Sequence, residues 1–379
     1  MIKKLELQNI RKELHQIAEV SGKEEKTAAY ILDILKQFPF TEIKTQIGGN
    51  GILAILKGTE EGTSTLFRAE LDALPIKEIN TFQHKSITPS VSHKCGHDGH
   101  MTILLGLIEE IFNIENKKGT TYFLFQPAEE NGEGAKAVLK DLQQFNIKPD
   151  YVFALHNIPG FSSNEVYCKP NEITPAVVSI KVSFHGKTAH AAEPENGINP
   201  SLAISDFINY CDELQFNDKD SDNFLVLTPI HINMGEIAYG ISAGEGEVHY
   251  TIRSWNNSKI KETKGKLEQK LNEISTLRKI SISHLYLEEF HANQNNPECI
   301  NFIKQACEIT HINYNNMKFP FKWGEDFGIF TDKFKGALFG LGAGLDTPSL
   351  HNPDYDFPDY LTQSGIDLFT SIWKITQKN

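Results

Sequence analysis

Cysteine is scarce and irregularly placed. The five residues (Cys95, Cys168, Cys211, Cys299 and Cys307) are odd in number and share no spacing, so they offer no disulfide framework and read as reduced thiols. Long apolar runs are missing too. No stretch approaches the roughly 20 apolar residues that a membrane-crossing helix needs, which leaves no membrane partner. The opening MIKKLELQNIRKELHQIAEV mixes charge with apolar residues at helical spacing and lacks the apolar core and small-residue cleavage site of a signal peptide. A cytoplasmic location is therefore expected. Basic runs are absent, and a net charge of −12 with a pI near 5.6 repels polyanions, so nucleic acid is not an expected partner. No repeat period or low-complexity tract is visible. What remains is a globular composition, 40% hydrophobic and 23% charged, in a chain of 379 residues that is too long for one ordinary core. Two domains, or one domain carrying a large insertion, are expected.

The first half alternates a helical stretch around Ile10–Leu35 with short apolar runs: GILAIL from Gly51, STLFRA from Ser64, TTYFLFQ from Thr120 and DYVFALH from Asp150. Such alternation implies an α/β fold with a helix-flanked mixed sheet. HMTILLGLIEEIFNI follows a Cys/His cluster directly, so the cluster falls at a helix N-terminus. From about Ala176 the order becomes strand, helix, strand, strand, helix, strand, a ferredoxin-like split unit. The expected division is a catalytic domain over residues 1–175 and 289–379, interrupted by an inserted α+β domain over 176–288.

Four segments concentrate metal-ligand chemistry: HKCGHDGH at 93–100, FQPAEENGEG at 125–134, ALHN at 154–157 and LHNPDYDF at 350–357. Each lies at a strand end or a helix start, and loops beyond the strand carboxyl ends form the ligand crevice of open α/β sheets. Cys95 and His97 stand two apart in a Gly-broken loop, where a thiolate and an imidazole can face one borderline metal. Taken alone they also describe a buried Cys beside a surface His. His100 and Asp98 can orient the imidazoles or simply cap the helix. Glu129 and Glu130 can divide the labour between proton transfer and metal binding, although an acidic pair is more often solvated surface. His156 and His351, each by itself, read equally as structural histidines.

Together with RAELDALPI, GKTAHAAEPENGINP and GEDFG, these segments resemble the aminoacylase, hippurate hydrolase and auxin-conjugate hydrolase group of metal-dependent amidohydrolases, relatives of carboxypeptidase G. The resemblance spans nearly the whole chain. It implies two divalent metal ions (Zn, Mn, Co or Ni) held by Cys95, His97, Glu130, His156 and His351, with the Cys95 thiolate as bridge. It makes Glu129 the general base, and it gives His190, in the inserted domain, the role of donating a hydrogen bond to the developing oxyanion, although by sequence alone His190 reads equally as a surface loop histidine. It casts the inserted domain as lid and homodimer surface, Asp72 as an orienting acid and Arg253 as a contact for substrate carboxylate. Asp72 could also cap its loop, and Arg253 could also be a strand-edge ion-pair residue. Gly132 and Gly134 serve loop geometry. The implied substrate is a small N-acyl amino acid or similar conjugate.

The chain departs from that pattern in three places. Glu70 replaces an Asp, Ala18 stands where relatives often have Pro, and YGISAGEGEVHYTIR carries Ser242 in place of an Asn-Val-Ile-Pro segment whose Asn contacts substrate. Two alternatives remain. A dipeptidase or aminopeptidase would need an acid for a free amino terminus, for which Glu245 and Glu247 are candidates, although both read more readily as solvated hairpin acids. A non-catalytic binding protein on the same scaffold would be expected to have lost Glu129 or a ligand, and all are present.

Overall fold

The computed structural model describes residues 4–378, which divide into two compact units. The larger comprises residues up to Ile173, then Asn293–Pro320 and the chain from Glu325 onward; the smaller comprises Thr174–Ala292 with Phe321–Gly324.

The larger unit is built on an eight-stranded mixed sheet in the order Glu42–Ile47, Gly51–Lys57, Lys118–Gln126, Glu60–Glu70, Tyr151–Ile158, Lys335–Gly342, Val166–Cys168, Tyr314–Asn316. Its middle four strands, from Lys118–Gln126 to Lys335–Gly342, run parallel. Parallel strands covered on both faces read as continuous apolar runs, and Tyr151–Ile158 is buried at every position. One core joins Phe67, Phe123, Phe153 and Phe339 of the sheet to Leu104, Ile108, Phe369 and Trp373 of the helices His97–Asn113 and Leu361–Thr376. The carboxyl ends of the parallel strands lead into the acid- and histidine-bearing segments.

One sequence reading needs correction, and one central strand lies outside the sequence reading. The single helix expected around Ile10–Leu35 is two helices, Leu7–Gln16 and Glu25–Leu35. Between them Val20 pairs with Ala73, and Gly22 takes a left-handed φ of 78°. The interruption sets Ser21 against Asp72, with Ser21 Oγ donating to Asp72 Oδ2 at 2.7 Å. The central strand Lys335–Gly342 was not anticipated, because Gly336, Gly340 and Gly342 dilute its apolar signal. The glycines answer a crowded sheet: a Cβ on Gly342 would lie 1.9 Å from the Ser162 carbonyl oxygen.

The smaller unit is an antiparallel four-stranded sheet ordered Leu225–Met234, Glu245–Ser254, Ala176–His185, Ser281–Phe290. With helices Ser201–Leu214 and Asn257–Arg278 this is the expected ferredoxin-like arrangement. In Ala176–His185 the residues Val178, Ile180, Val182 and Phe184 face the helices, joining Phe207 and Leu267 in a separate core. Ser179, Lys181, Ser183 and His185 occupy the opposite, open face. Asn256 caps the second helix, its side chain accepting from Lys259 N–H at 2.7 Å.

Candidate metal centre

The Cys95–His97 turn depends on two close approaches. Gly96 has a φ of 92°, and a Cβ there would meet the Asn157 side chain at 2.5 Å. Gly99, in the first turn of the helix, lies under the Phe357 ring, where a Cβ would sit 2.3 Å from ring carbons. Cys95 and His97 are thereby set at a helix N-terminus, where the helix dipole favours a thiolate.

Six side chains named from the sequence come together. The ligand atoms of Cys95, His97 and His156 lie within 4.8 Å of one another, as do those of Cys95, Glu130 and His351, and those of His97, Glu129 and Glu130. Cys95 Sγ is 3.4 Å from His156 Nε2. His97 Nε2 is 3.8 Å from Glu130 Oε1 and 3.9 Å from Glu129 Oε2, and His351 Nε2 is 3.8 Å from Glu130 Oε2. The ring orientations are fixed from behind. His97 Nδ1 bonds the Asp72 carbonyl oxygen at 2.8 Å and His156 Nδ1 bonds the Asn157 carbonyl oxygen at 2.8 Å, so each Nε2 is directed inward. Two cluster segments hold non-glycine residues in left-handed backbone, Ala128 at φ 53° and His351 at φ 66°. Such strain persists only where surroundings impose it. Here Glu24 accepts Ala128 N–H at 2.9 Å, and the Lys94 carbonyl accepts His351 N–H at 2.8 Å.

The electrostatics describe a site short of positive charge. Burial, then Glu325, Glu130 and Asp326, push the Glu129 carboxyl well above its usual range. Burial and the acids Glu130, Glu129 and Glu70 do the same to the Cys95 thiol. Burial drives Glu130 up to about 7 against the opposing pull of His97. For His97, burial works against the charged form, but Glu70, Asp72 and Glu130 outweigh it and raise the imidazole to about 10. Burial and neighbouring imidazoles hold His156 well below the ordinary histidine value. His97 Nε2 and Glu130 Oε1 are buried without a hydrogen-bond partner. Orphaned ligand atoms in a mixed S/N/O set with excess anionic capacity fit divalent cations.

Around the cluster, Asp72 accepts from Ser21 and, at 3.0 Å, from Glu130 N–H. Burial opposes its ionisation, yet His97 and these donors hold its carboxyl below the usual range. His100 is engaged at both nitrogens, 2.7 Å from Glu70 Oε2 and 2.5 Å from Asn157 Oδ1. Asp98 does not orient a cluster imidazole; it bonds His15 at 2.8 Å and Arg11 at 3.2 Å. His190 and Arg253 belong to the smaller unit. His190 is exposed and accepts Ala192 N–H on Nδ1 at 3.0 Å, and Arg253 donates to the Lys322 carbonyl at 2.7 Å. At the departure from the family pattern, Ser242 Oγ accepts from Asn199 Nδ2 at 3.0 Å.

Sequence reasoning missed the frame that supports these residues. Arg68 is fully buried and bonds Glu70, Glu325 at 2.9 Å, Asp326 at 2.6 Å and Gln126 at 2.9 Å. Asp326 also accepts Ala135 N–H at 2.8 Å, which anchors the helix after the Glu129–Glu130 loop. GEDFG was visible as a motif, but its function as a counter-charge for Arg68 was not.

Residues 66–374 match the model of peptidase family M20/M25/M40. The chain is 30% identical over 368 residues to an N-acetyldiaminopimelate deacetylase of Lactobacillus acidophilus, covering 96% of this chain and 95% of the relative. It is also 30% identical over 363 residues to the enzyme of that name from Listeria monocytogenes, covering 95% and 96%. The Bacillus subtilis YXEP protein, described as a dinuclear metal binding peptidase from the M20 family, shares the fold with a TM-score of 0.82 at 22% identity, covering 98% of both chains. A tripeptidase from Staphylococcus aureus does so with a TM-score of 0.72 at 17% identity, covering 100% of both. The chain belongs to the M20/M25/M40 peptidase family and is an amidohydrolase of that family.

Proposed function

We propose that the protein hydrolyses the amide bond of N-acyl amino acids, and that N-acetyldiaminopimelate is the substrate to try first. The observation that carries this reading is the meeting of Cys95, His97, Glu130, His156 and His351 beside Glu129, in a chain so extensively similar to N-acetyldiaminopimelate deacetylases. Two divalent ions held by those five residues would polarise the amide carbonyl and favour ionisation of water. Glu129 takes the proton of the attacking water. It returns that proton to the nitrogen as the C–N bond breaks, so the water oxygen ends in the carboxylic acid and the amine leaves neutral. Because His190 Nδ1 accepts a backbone N–H, its neutral ring carries the proton on Nε2. That tautomer suits donation to the developing oxyanion, a contribution on the order of 3 kcal/mol. Arg253 spends one donor on Lys322 and offers others to a substrate carboxylate.

We also propose a homodimer through the smaller unit. Leu225–Met234 is an edge strand that exposes Ile230 and Ile232, and the loop after it exposes Ile237 and Tyr239 almost completely, at 94% and 97%. Unpaired edges flanked by apolar side chains favour pairing with another strand. Light scattering on the purified protein tests this, and a monomer at micromolar concentration would refute it.

The peptidase reading draws less support, because its candidate acids are engaged with neighbouring basic side chains. Glu245 lies 2.8 Å from His185, and Glu247 lies 2.6 Å from Lys181. The experiment is a hydrolysis panel on metal-reconstituted protein, covering N-acetyl amino acids, hippurate, N-acetyldiaminopimelate and dipeptides, beside a chelated control and Glu129→Gln. Activity is expected to need metal. Glu129→Gln is expected to lose about a thousandfold in kcat while keeping its metal content, within the range of general-base contributions. Full turnover in that variant removes Glu129 from the mechanism.

A further inference from the structure

The open face of the smaller unit's sheet carries three histidines, and they are not equivalent. His185 is satisfied at both nitrogens, 2.8 Å from Glu245 Oε2 and 3.1 Å from Ser283 Oγ. His231 and His249 are directly opposed across the antiparallel pair of Leu225–Met234 with Glu245–Ser254, their rings edge to face with centroids 5.4 Å apart. Both direct Nε2 at one carboxylate oxygen. Glu247 Oε1 is 3.6 Å from His231 Nε2 and 3.5 Å from His249 Nε2. These separations are too long for good hydrogen bonds, and His249 Nε2 is buried without a hydrogen-bond partner.

The spacing matches another requirement. Ligands held 2.0–2.1 Å from a tetrahedral zinc ion stand about 3.3–3.4 Å from one another. The catalytic cluster likewise sets ligand atoms near one another without a hydrogen bond, at His97 Nε2 and Glu130 Oε1, 3.8 Å apart.

We propose that His231, His249 and Glu247 Oε1 form a binding site for a zinc-class transition-metal ion, separate from the catalytic pair, that ties the edge strand to its neighbour. Lys181 Nζ, 2.6 Å from Glu247 Oε2, keeps that carboxylate ionised and leaves only Oε1 for the ion. Its positive charge also makes this site weaker than the anion-rich catalytic cluster. Three protein ligands leave the fourth position to water. The tie falls beside the register shift between Pro229 and His231, where the edge strand pairs least regularly.

The test is a titration of the full-length, chelator-stripped protein with Zn²⁺ alone, counting sites in wild type, His231→Asn/His249→Asn and Cys95→Ala/Glu130→Ala. The His double variant is expected to lose one weak site and keep the tight sites and an unchanged kcat/KM. The Cys/Glu variant is expected to lose tight sites and keep the weak one. Glu247→Gln is expected to weaken the same site, and thermal unfolding in chelator checks that each variant folds. Identical site counts and affinities in wild type and the His double variant overturn the proposal. So does loss of the weak site only together with the tight ones.

Discussion

Replacing Lys94 by Met tests how the ligand-bearing loops are held. The Lys94 side chain is fully buried, and its ammonium lies 2.5 Å from Glu78 Oε1, 2.9 Å from Asn80 Oδ1 and 2.7 Å from the Tyr355 carbonyl oxygen. Three donors thus meet three acceptors, and one of them clamps the segment carrying His351. Methionine keeps most of the length and volume but removes the charge. Breaking a buried ion pair costs about 3–5 kcal/mol, largely from the charge left behind. Glu78 is not abandoned, because His15 Nε2 remains 3.0 Å away and Ser86 N–H 2.8 Å away. The surviving partners place the cost at the lower end, about 3 kcal/mol. Urea unfolding of metal-free wild type and Lys94→Met, compared by midpoint at unchanged slope, reads this directly. A double variant with Glu78→Gln should be less destabilised than the sum of the single variants by at least ~1 kcal/mol. The variant should also release bound metal faster, since the loop bearing His351 loses its anchor at Tyr355. A loss under ~1 kcal/mol with unchanged metal retention would refute the clamp.

His15 adds a pH dependence. Burial opposes its protonation, but Asp98 and Glu78 raise it to about 9 in the folded protein, from 6.5. Its stabilisation is therefore complete below about pH 6.5 and fades as pH rises through about 9, a difference of about 3 kcal/mol. His15→Gln should flatten wild-type unfolding curves over that window, and equal slopes would remove His15 as the cause. Asp72→Ala should weaken metal affinity about 10- to 100-fold by releasing Glu130 N–H and Ser21, as measured by competition with a chelator. Gly99→Ala should drive a methyl into Phe357 and destabilise by about 3 kcal/mol, read by chemical unfolding.

The ligand segments were legible because each packs several donor types into a few residues at a strand or helix boundary. HKCGHDGH, FQPAEENGEG, ALHN and LHNPDYDF stand out even without a fold. The smaller unit was legible where its strands alternate, as over residues 178–185. What could not be read was long-range pairing. Nothing local marks Arg68 as the partner of residues 257 and 258 positions away, or Glu24 as the support for Ala128. Lys335–Gly342 was hidden because its glycines are dictated by neighbours such as Ser162 and not by strand propensity. The break between the first two helices likewise follows from pairing Val20 with Ala73.

Arg68 and the strand Lys335–Gly342 also bear on how the chain comes off the ribosome. When the first 173 residues have emerged, Arg68 still waits for Glu325 and Asp326, and Tyr151–Ile158 still lacks its neighbour on one side. The smaller unit, whose strands all lie between Ala176 and Phe290, can complete its own sheet in the meantime. The nascent larger unit therefore spends the synthesis of roughly 150 further residues with an unfinished sheet edge open to pairing with other chains.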